Sequence, residues 1–209
     1  ASWAGQLESY LNIDKENLLE AIKKCWRSVL SKRAVSYAQK NSIHRSQLSV
    51  AVIVQKMVDS KAAGIMFTVN PITNNQNELI IEAGLGLGEL LVQGEVTPDN
   101  YVVSKKTRKV KKISLGSQKV MLTFQNGKTQ RVSVPQSLEG KQIFTIEQIT
   151  ALADLGMKIE THHKSPQDIE WAFADEKFYI IQSRPITTIT LTEHSIQWAT
   201  TVARRHTPL

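Results

Sequence analysis

Between residues 14 and 39 the apolar positions Leu18, Leu19, Ile22, Trp26, Val29, Leu30 and Ala34 recur at steps of three and four. That spacing predicts one amphipathic helix, with Asp14 as its N-cap. Residues 48–58 (LSVAVIVQKMV) are dense in β-branched side chains and predict a buried strand; 63–69 predicts a second, stopped by Asn70-Pro71. A third apolar run, 78–83, leads into GLGLGE at 84–89, and a short helix is expected over 89–92. From 100 to 134 the chain alternates in short stretches (YVVSKKT, KVKKISL, KVMLTF, TQRVSV) around the hairpin dipeptide Asn126-Gly127, which predicts an antiparallel meander. Thr145 and Gln148 fit a capping box opening a helix to about residue 162, with Ile149, Leu152, Ala153, Leu155, Gly156 and Ile159 inward. Two last strands, 168–174 (DIEWAFA) and 177–183 (KFYIIQS), are joined by a tight turn. The fold class expected from this order is α+β, an antiparallel sheet flanked by helices.

Composition narrows the picture only a little. The 209 residues are 41% hydrophobic and 22% charged, ordinary for a globular protein. An excess of 26 Lys+Arg over 19 Asp+Glu, net +7, favours anionic partners without choosing among them. The lone cysteine, Cys25, makes no internal disulfide, and no run of 18 apolar residues could span a bilayer. A reduced, cytoplasmic setting without membrane contact is therefore expected. The first residues, ASWAGQLESYL, lack the basic and apolar regions of a signal peptide and read as the start of an excised piece. The stretch 188–209 reads as a linker and the beginning of an unassigned segment.

Candidate chemistry concentrates in the last hairpin. Glu170, Gln182 and Arg184 alternate with Ile169, Trp171 and Ile181, so a carboxylate and an amide oxygen can converge on one face with a guanidinium close by. Mg²⁺ takes a few oxygen ligands shared with substrate phosphates, and Arg matches phosphate bidentately, so these residues form a minimal Mg–nucleotide set. On pattern alone a solvated hairpin face is the favoured alternative, and Asp168 serves only as a strand cap. Gly84, Gly86 and Gly88 could bring backbone amides to an anion, but the pattern is neither GxGxxG nor Walker A. Gln55 and Lys56 interrupt an apolar strand; the Gln amide could read an adenine edge beside Met57, or bond to a neighbouring loop, which the residues alone favour. The basic run 105–112 (KKTRKVKK) lacks stacking aromatics and reads as a solvated hairpin before a nucleic-acid patch. His162-His163 suits a helix C-terminus better than zinc, and His44-Arg45 a surface turn.

Six ordered motifs, SWAGQ (2–6), VQKMV (54–58), GIMFTVNP (64–71), GLGELLVQGEVTPD (86–99), DIEW (168–171) and IIQSRPIT (180–187), resemble the ATP-binding domain of phosphoenolpyruvate synthase, over about residues 1–187. The domain is also similar to that of pyruvate phosphate dikinase and rifampin phosphotransferase. The resemblance implies an ATP-grasp fold, of which this chain is the C-terminal subdomain. It implies that Glu170 and Gln182 hold Mg²⁺ and the ATP phosphates, that Arg184 contacts phosphate, and that Gln55 with the backbone at Lys56 and Met57 meets the adenine. Glu89 would lie near the ribose or the metal. In such enzymes ATP phosphorylates a histidine on a separate domain, and the phosphoryl group passes to pyruvate or another acceptor. The phosphate-gripping Lys and Arg of an earlier subdomain, the phosphohistidine domain and the pyruvate-binding domain are not among these motifs. The piece alone is therefore expected to be inactive, and a non-catalytic binding module of the same fold stays open.

Overall fold

The computed structural model describes residues 3, 5–44, 48–125 and 127–186. By its contacts the chain divides into two units, Ala1–Met57 and Val58–Leu209.

In the first unit the expected single helix is broken in three. Helix α1 (Leu18–Arg27) passes through a 3₁₀ turn (Ser28–Leu30) into α2 (Lys32–Lys40). Serines make the break. The Ser28 hydroxyl bonds back to the Cys25 carbonyl at 2.7 Å, and Ser31, with extended backbone, caps α2 by accepting from the Ala34 amide at 3.2 Å. The residue at the N-cap of α1 is Asn17, not Asp14; the Asp14 carboxylate instead accepts from the Asn17 amide at 2.8 Å. Ala34 and Ala38 are buried, whereas Leu19, Trp26 and Leu30 stay more than half exposed.

The strand expected over 48–58 does not form. The stretch has no regular secondary structure, and Ile53, Val54 and Met57 are exposed. β-branched density gives a segment the propensity for a strand, but a strand exists only where a neighbour supplies its ladder. No described strand pairs with this one.

The second unit is built on a six-stranded antiparallel sheet in the order β4-β3-β2-β1-β7-β8. Its strands are β1 (Ala62–Phe67), β2 (Glu78–Leu85), β3 (Asp99–Ser104), β4 (Val110–Ser114), β7 (Gln167–Ala174) and β8 (Lys177–Pro185). Between β4 and β7, the strands β5 (Val120–Gln125) and β6 (Lys128–Ser133) pair, among the described residues, only with each other. The expected meander is thus two separate hairpins. Its turn contains Gly127 at φ 74°, where glycine has no steric cost; Asn126 lies outside the described residues. Helix α3 (Glu89–Val92) is the short helix expected after GLGLGE.

Helix α4 (Ile146–His163) begins at the capping box: Thr145 accepts from the Gln148 amide at 3.3 Å while the Gln148 side chain accepts from the Thr145 amide at 3.0 Å. Its face of Ile149, Leu152, Ala153 and Gly156 is buried, and it packs against β2, β3, β4, β7 and β8. Beneath it lie Met66, Leu79, Ile81, Tyr101, Ile169 and Trp171, all at most 1% exposed. Phe144 joins them, with ring centroids 5.6 Å from Trp171 and 5.1 Å from Phe173. Gly64 is required here by proximity, because a Cβ there would run into the Glu82 carbonyl and the Trp171 ring. One face of the sheet is consumed by this core. The other carries Glu82, Asn100, Asp168 and Glu170 among apolar residues such as Ile65, Phe67 and Ile80.

Candidate functional site

Alternation along β7 sends Ile169, Trp171 and Phe173 into the core and Asp168, Glu170 and Ala172 to the opposite face. Glu170 stands directly opposite Gln182. Register then continues the row across the sheet from Gln182 and Glu170 through Ile65, Glu82 and Asn100 to Ser114. Partners on adjacent strands stand about 5 Å apart, so Glu170 and Glu82, two strands apart, are separated by about 10 Å at their backbones.

The convergence of Glu170 and Gln182 depends on an irregularity. The hairpin turns at Asp175 and Glu176, both with positive φ (49° and 55°), and Ala174 pairs with Lys177. A regular ladder from that turn would set Glu170 against Ile181 and leave Gln182 facing the core. Instead Trp171 pairs with Ile180 while Glu170 pairs with Gln182, so Ile181 is an extra residue, a β-bulge. One added residue moves every later side chain of β8 to the other face. The bulge brings Gln182 and Arg184 to the side of Glu170.

On the next rung Arg184 faces Asp168. Its Nε donates to Asp168 Oδ2 at 2.8 Å, and its Nη2 forms an ion pair with the same oxygen at 2.7 Å. Asp168 lies inside the strand and is 6% exposed, so it is not the strand cap expected. Burial raises its pKa, and the Arg184 charge and hydrogen bond partly offset this. Burial likewise raises the Glu82 carboxyl, with a hydrogen bond from Asn100 working the other way. Glu82 and Asn100 are polar residues of this face that the sequence did not single out, and Asp168 has a partner the sequence did not show. The signal for Asp168 was its place two residues before Glu170, matching Arg184 two after Gln182.

The glycine turn, whose amides could have met an anion, is bonded within the unit. Gly86, at φ 79°, donates its amide to the Lys61 carbonyl at 2.8 Å, and Leu87 donates to Leu122 at 2.9 Å. Gln118 brackets Leu85, accepting from its amide at 2.8 Å and donating to its carbonyl at 2.9 Å. A Cβ on Gly86 would collide with the Leu122 carbonyl, so the glycine lets the β5–β6 hairpin dock. Glu89, half-buried, opens α3 just beyond; a Cβ on the preceding Gly88 would stand 3.4 Å from that of Ala63, two residues from Ile65 on the same face. Glu89 therefore follows a turn that packs at one end of the polar face.

Gln55, Lys56 and Met57 belong to the first unit, in the exposed stretch without regular structure. In the basic hairpin, Lys105 meets Glu160 at 2.7 Å, Arg108 meets Asp154 at 3.2 Å and Lys111 pairs with Glu78, so much of its charge is matched within the unit. His162 and His163 occupy the last turn of α4, and among the described residues no three His, Cys, Asp or Glu side chains cluster to hold a metal. Arg45 lies outside the described residues, as does 188–209.

Comparison with known proteins decides the family. The family described as "Pyruvate phosphate dikinase, AMP/ATP-binding domain" matches residues 1–203. The chain belongs to this family. As a pyruvate phosphate dikinase-type AMP/ATP-binding domain it is 45% identical over 190 residues to a probable phosphoenolpyruvate synthase of Archaeoglobus fulgidus, covering 90% of this chain and 25% of the relative. It is 45% identical over 201 residues to the phosphoenolpyruvate synthase of Pyrococcus furiosus (90% and 24%), and 44% over 195 residues to the rifampicin phosphotransferase of Bacillus subtilis (90% and 22%). The chain thus spans about a quarter of the length of these relatives. No helix among the described residues is long and apolar enough to cross a membrane.

Proposed function

We propose that this AMP/ATP-binding domain serves a phosphotransferase of the phosphoenolpyruvate synthase type, as the C-terminal subdomain of an ATP-grasp fold. The observation that carries the reading is the bulged rung that sets the Glu170 carboxylate against the Gln182 amide, with Arg184 one rung away. The donor set fits Mg²⁺: one carboxylate and one amide oxygen on adjacent strands leave most of an octahedral shell for water and phosphate. Bound there, the metal would neutralise charge on the ATP phosphates during transfer. Glu170 and Gln182 hold and orient the metal and phosphates, and Arg184 offers N–H donors to phosphate oxygens. Gln55, with the backbone of Lys56 and Met57, meets the adenine. Glu89 sits toward the ribose or metal side. Other parts of the parent protein would carry the phosphorylated histidine and the pyruvate site, and the piece alone would bind ATP poorly and turn over nothing. The setting is cytoplasmic.

The rifampicin phosphotransferase relative supports a second acceptor on the same ATP chemistry. One assay of the parent protein tests both. ATP consumption dependent on pyruvate is the expected result, consumption dependent only on rifampicin assigns the second, and calorimetry showing no Mg–ATP binding to the parent would end the nucleotide reading.

A further inference from the structure

We infer that Asp168 is a positioning residue that fixes which edge of the Arg184 guanidinium meets the nucleotide, a role that rests on the nucleotide reading of this face. A guanidinium has five N–H donors arranged as two forks. The side fork faces Asp168 Oδ2, with Nε donating to it at 2.8 Å and Nη2 in ion-pair contact at 2.7 Å. The end fork, Nη1 and the second Nη2 hydrogen, is left for an oxygen pair, and a phosphate matches it bidentately.

The surroundings make the arrangement rigid. On the rung shared with Arg184, Asp168 stands beside Phe67, which in turn stands beside Ile80; the two are 6% and 4% exposed. An anion among apolar side chains requires a partner, and among the described residues Arg184 supplies it. The arginine is held from a neighbouring strand at 38% side-chain exposure, enough to present its outer edge to a ligand. The backbone contributes as well. Asp168 and Arg184 face each other only because Ile181 shifts the ladder, so bulge, carboxylate and guanidinium act in series.

The test is steady-state kinetics of ATP consumption by the full parent chain carrying Asp168→Asn, Arg184→Ala or both, with thermal unfolding recorded for each. Asp168→Asn keeps the size of the side chain but loses the charge that holds the fork. It should lower kcat/KM for ATP about tenfold to a hundredfold, the scale of one charge-assisted hydrogen bond. The double variant should be no worse than Arg184→Ala, because a positioning residue has nothing left to position. Unchanged kcat/KM in Asp168→Asn, or multiplying losses in the double variant, would overturn the inference while leaving the nucleotide reading standing. An Arg184→Ala protein that uses ATP normally would remove both. Should Asp168→Asn fail to fold, Arg184→Lys decides: it keeps the charge without the fork, and a loss matching Arg184→Ala supports the inference, whereas wild-type kinetics overturn it.

Discussion

Glu170 and Gln182 share a rung on the face away from the core, so on the proposed reading removing either side chain takes away a metal ligand without opening a cavity. Glu170→Ala and Gln182→Ala should each abolish ATP turnover in the parent protein while shifting unfolding free energy by less than about 1 kcal/mol; kinetics and denaturant titration on the same samples check both halves. Asp99 is the contrasting case. It closes the motif GLGELLVQGEVTPD, yet its carboxylate is fully engaged inside the unit, accepting from the Tyr101 hydroxyl at 2.7 Å, the Gly116 amide at 2.8 Å and the Ile143 amide at 2.9 Å. Asp99→Ala would strand those donors and should cost about 3 kcal/mol or more of stability, seen as a lowered denaturation midpoint. At this scale the shared face of Glu170, Gln182 and Arg184 was legible, because their chemistry and spacing coincide. Asp168 was harder to read, because an acidic residue at a strand start has the local signature of a cap and only the partner strand reveals its arginine. The glycine turn was hard to read for a related reason: the Gly86 amide is taken by the Lys61 carbonyl and the Leu87 amide by that of Leu122, over thirty residues away in sequence.

Elements were legible in proportion to how much of their cause is local. Helix α4 carries its start signal in the Thr145–Gln148 box and its buried face in a regular spacing, and it forms with bounds close to those the pattern predicts. Thr145→Ala should cost about 1 kcal/mol, measurable by urea titration. Strands depend on partners. Residues 48–58 have the composition of a strand and no described partner, and β4 and β5 are consecutive without pairing. The break between α1 and α2 turns on serines whose hydroxyls compete with the helix, which an apolar periodicity does not register. Deleting Ile181 tests the bulge itself. A regular ladder from the same turn would swing Gln182 and Arg184 toward the core, so ATP use in the parent should disappear; retained turnover would show the bulge to be dispensable.

Over the whole molecule the titrating carboxylates pull in opposite directions. Glu78 is held below the usual carboxylate range by its hydrogen bond from Lys111 first and Asn70 second. Its contribution to stability is present above the unfolded carboxylate pKa and is lost as pH falls through its lowered folded value. Asp168 and Glu82 are raised by burial, so the folded state binds protons there more tightly than the unfolded chain. They withdraw stability as pH climbs from the unfolded value through their raised folded values. Thermal melts between pH 3 and 7, roughly the carboxylate range, should therefore show Glu78→Gln with a flatter acid limb and Glu82→Gln with a smaller decline toward neutrality. The two border strands of the sheet share one feature. β8 carries its extra residue at Ile181, and β4 carries one at Lys111, where Val102 pairs with Lys112 and Val103 with Val110. An open border is a template on which another chain could add itself, and an interrupted ladder is a poor template. The residue that turns Gln182 toward the face of Glu170 thus also discourages the sheet from growing into its neighbours, and β8 ends on Pro185, which has no amide to offer an incoming strand.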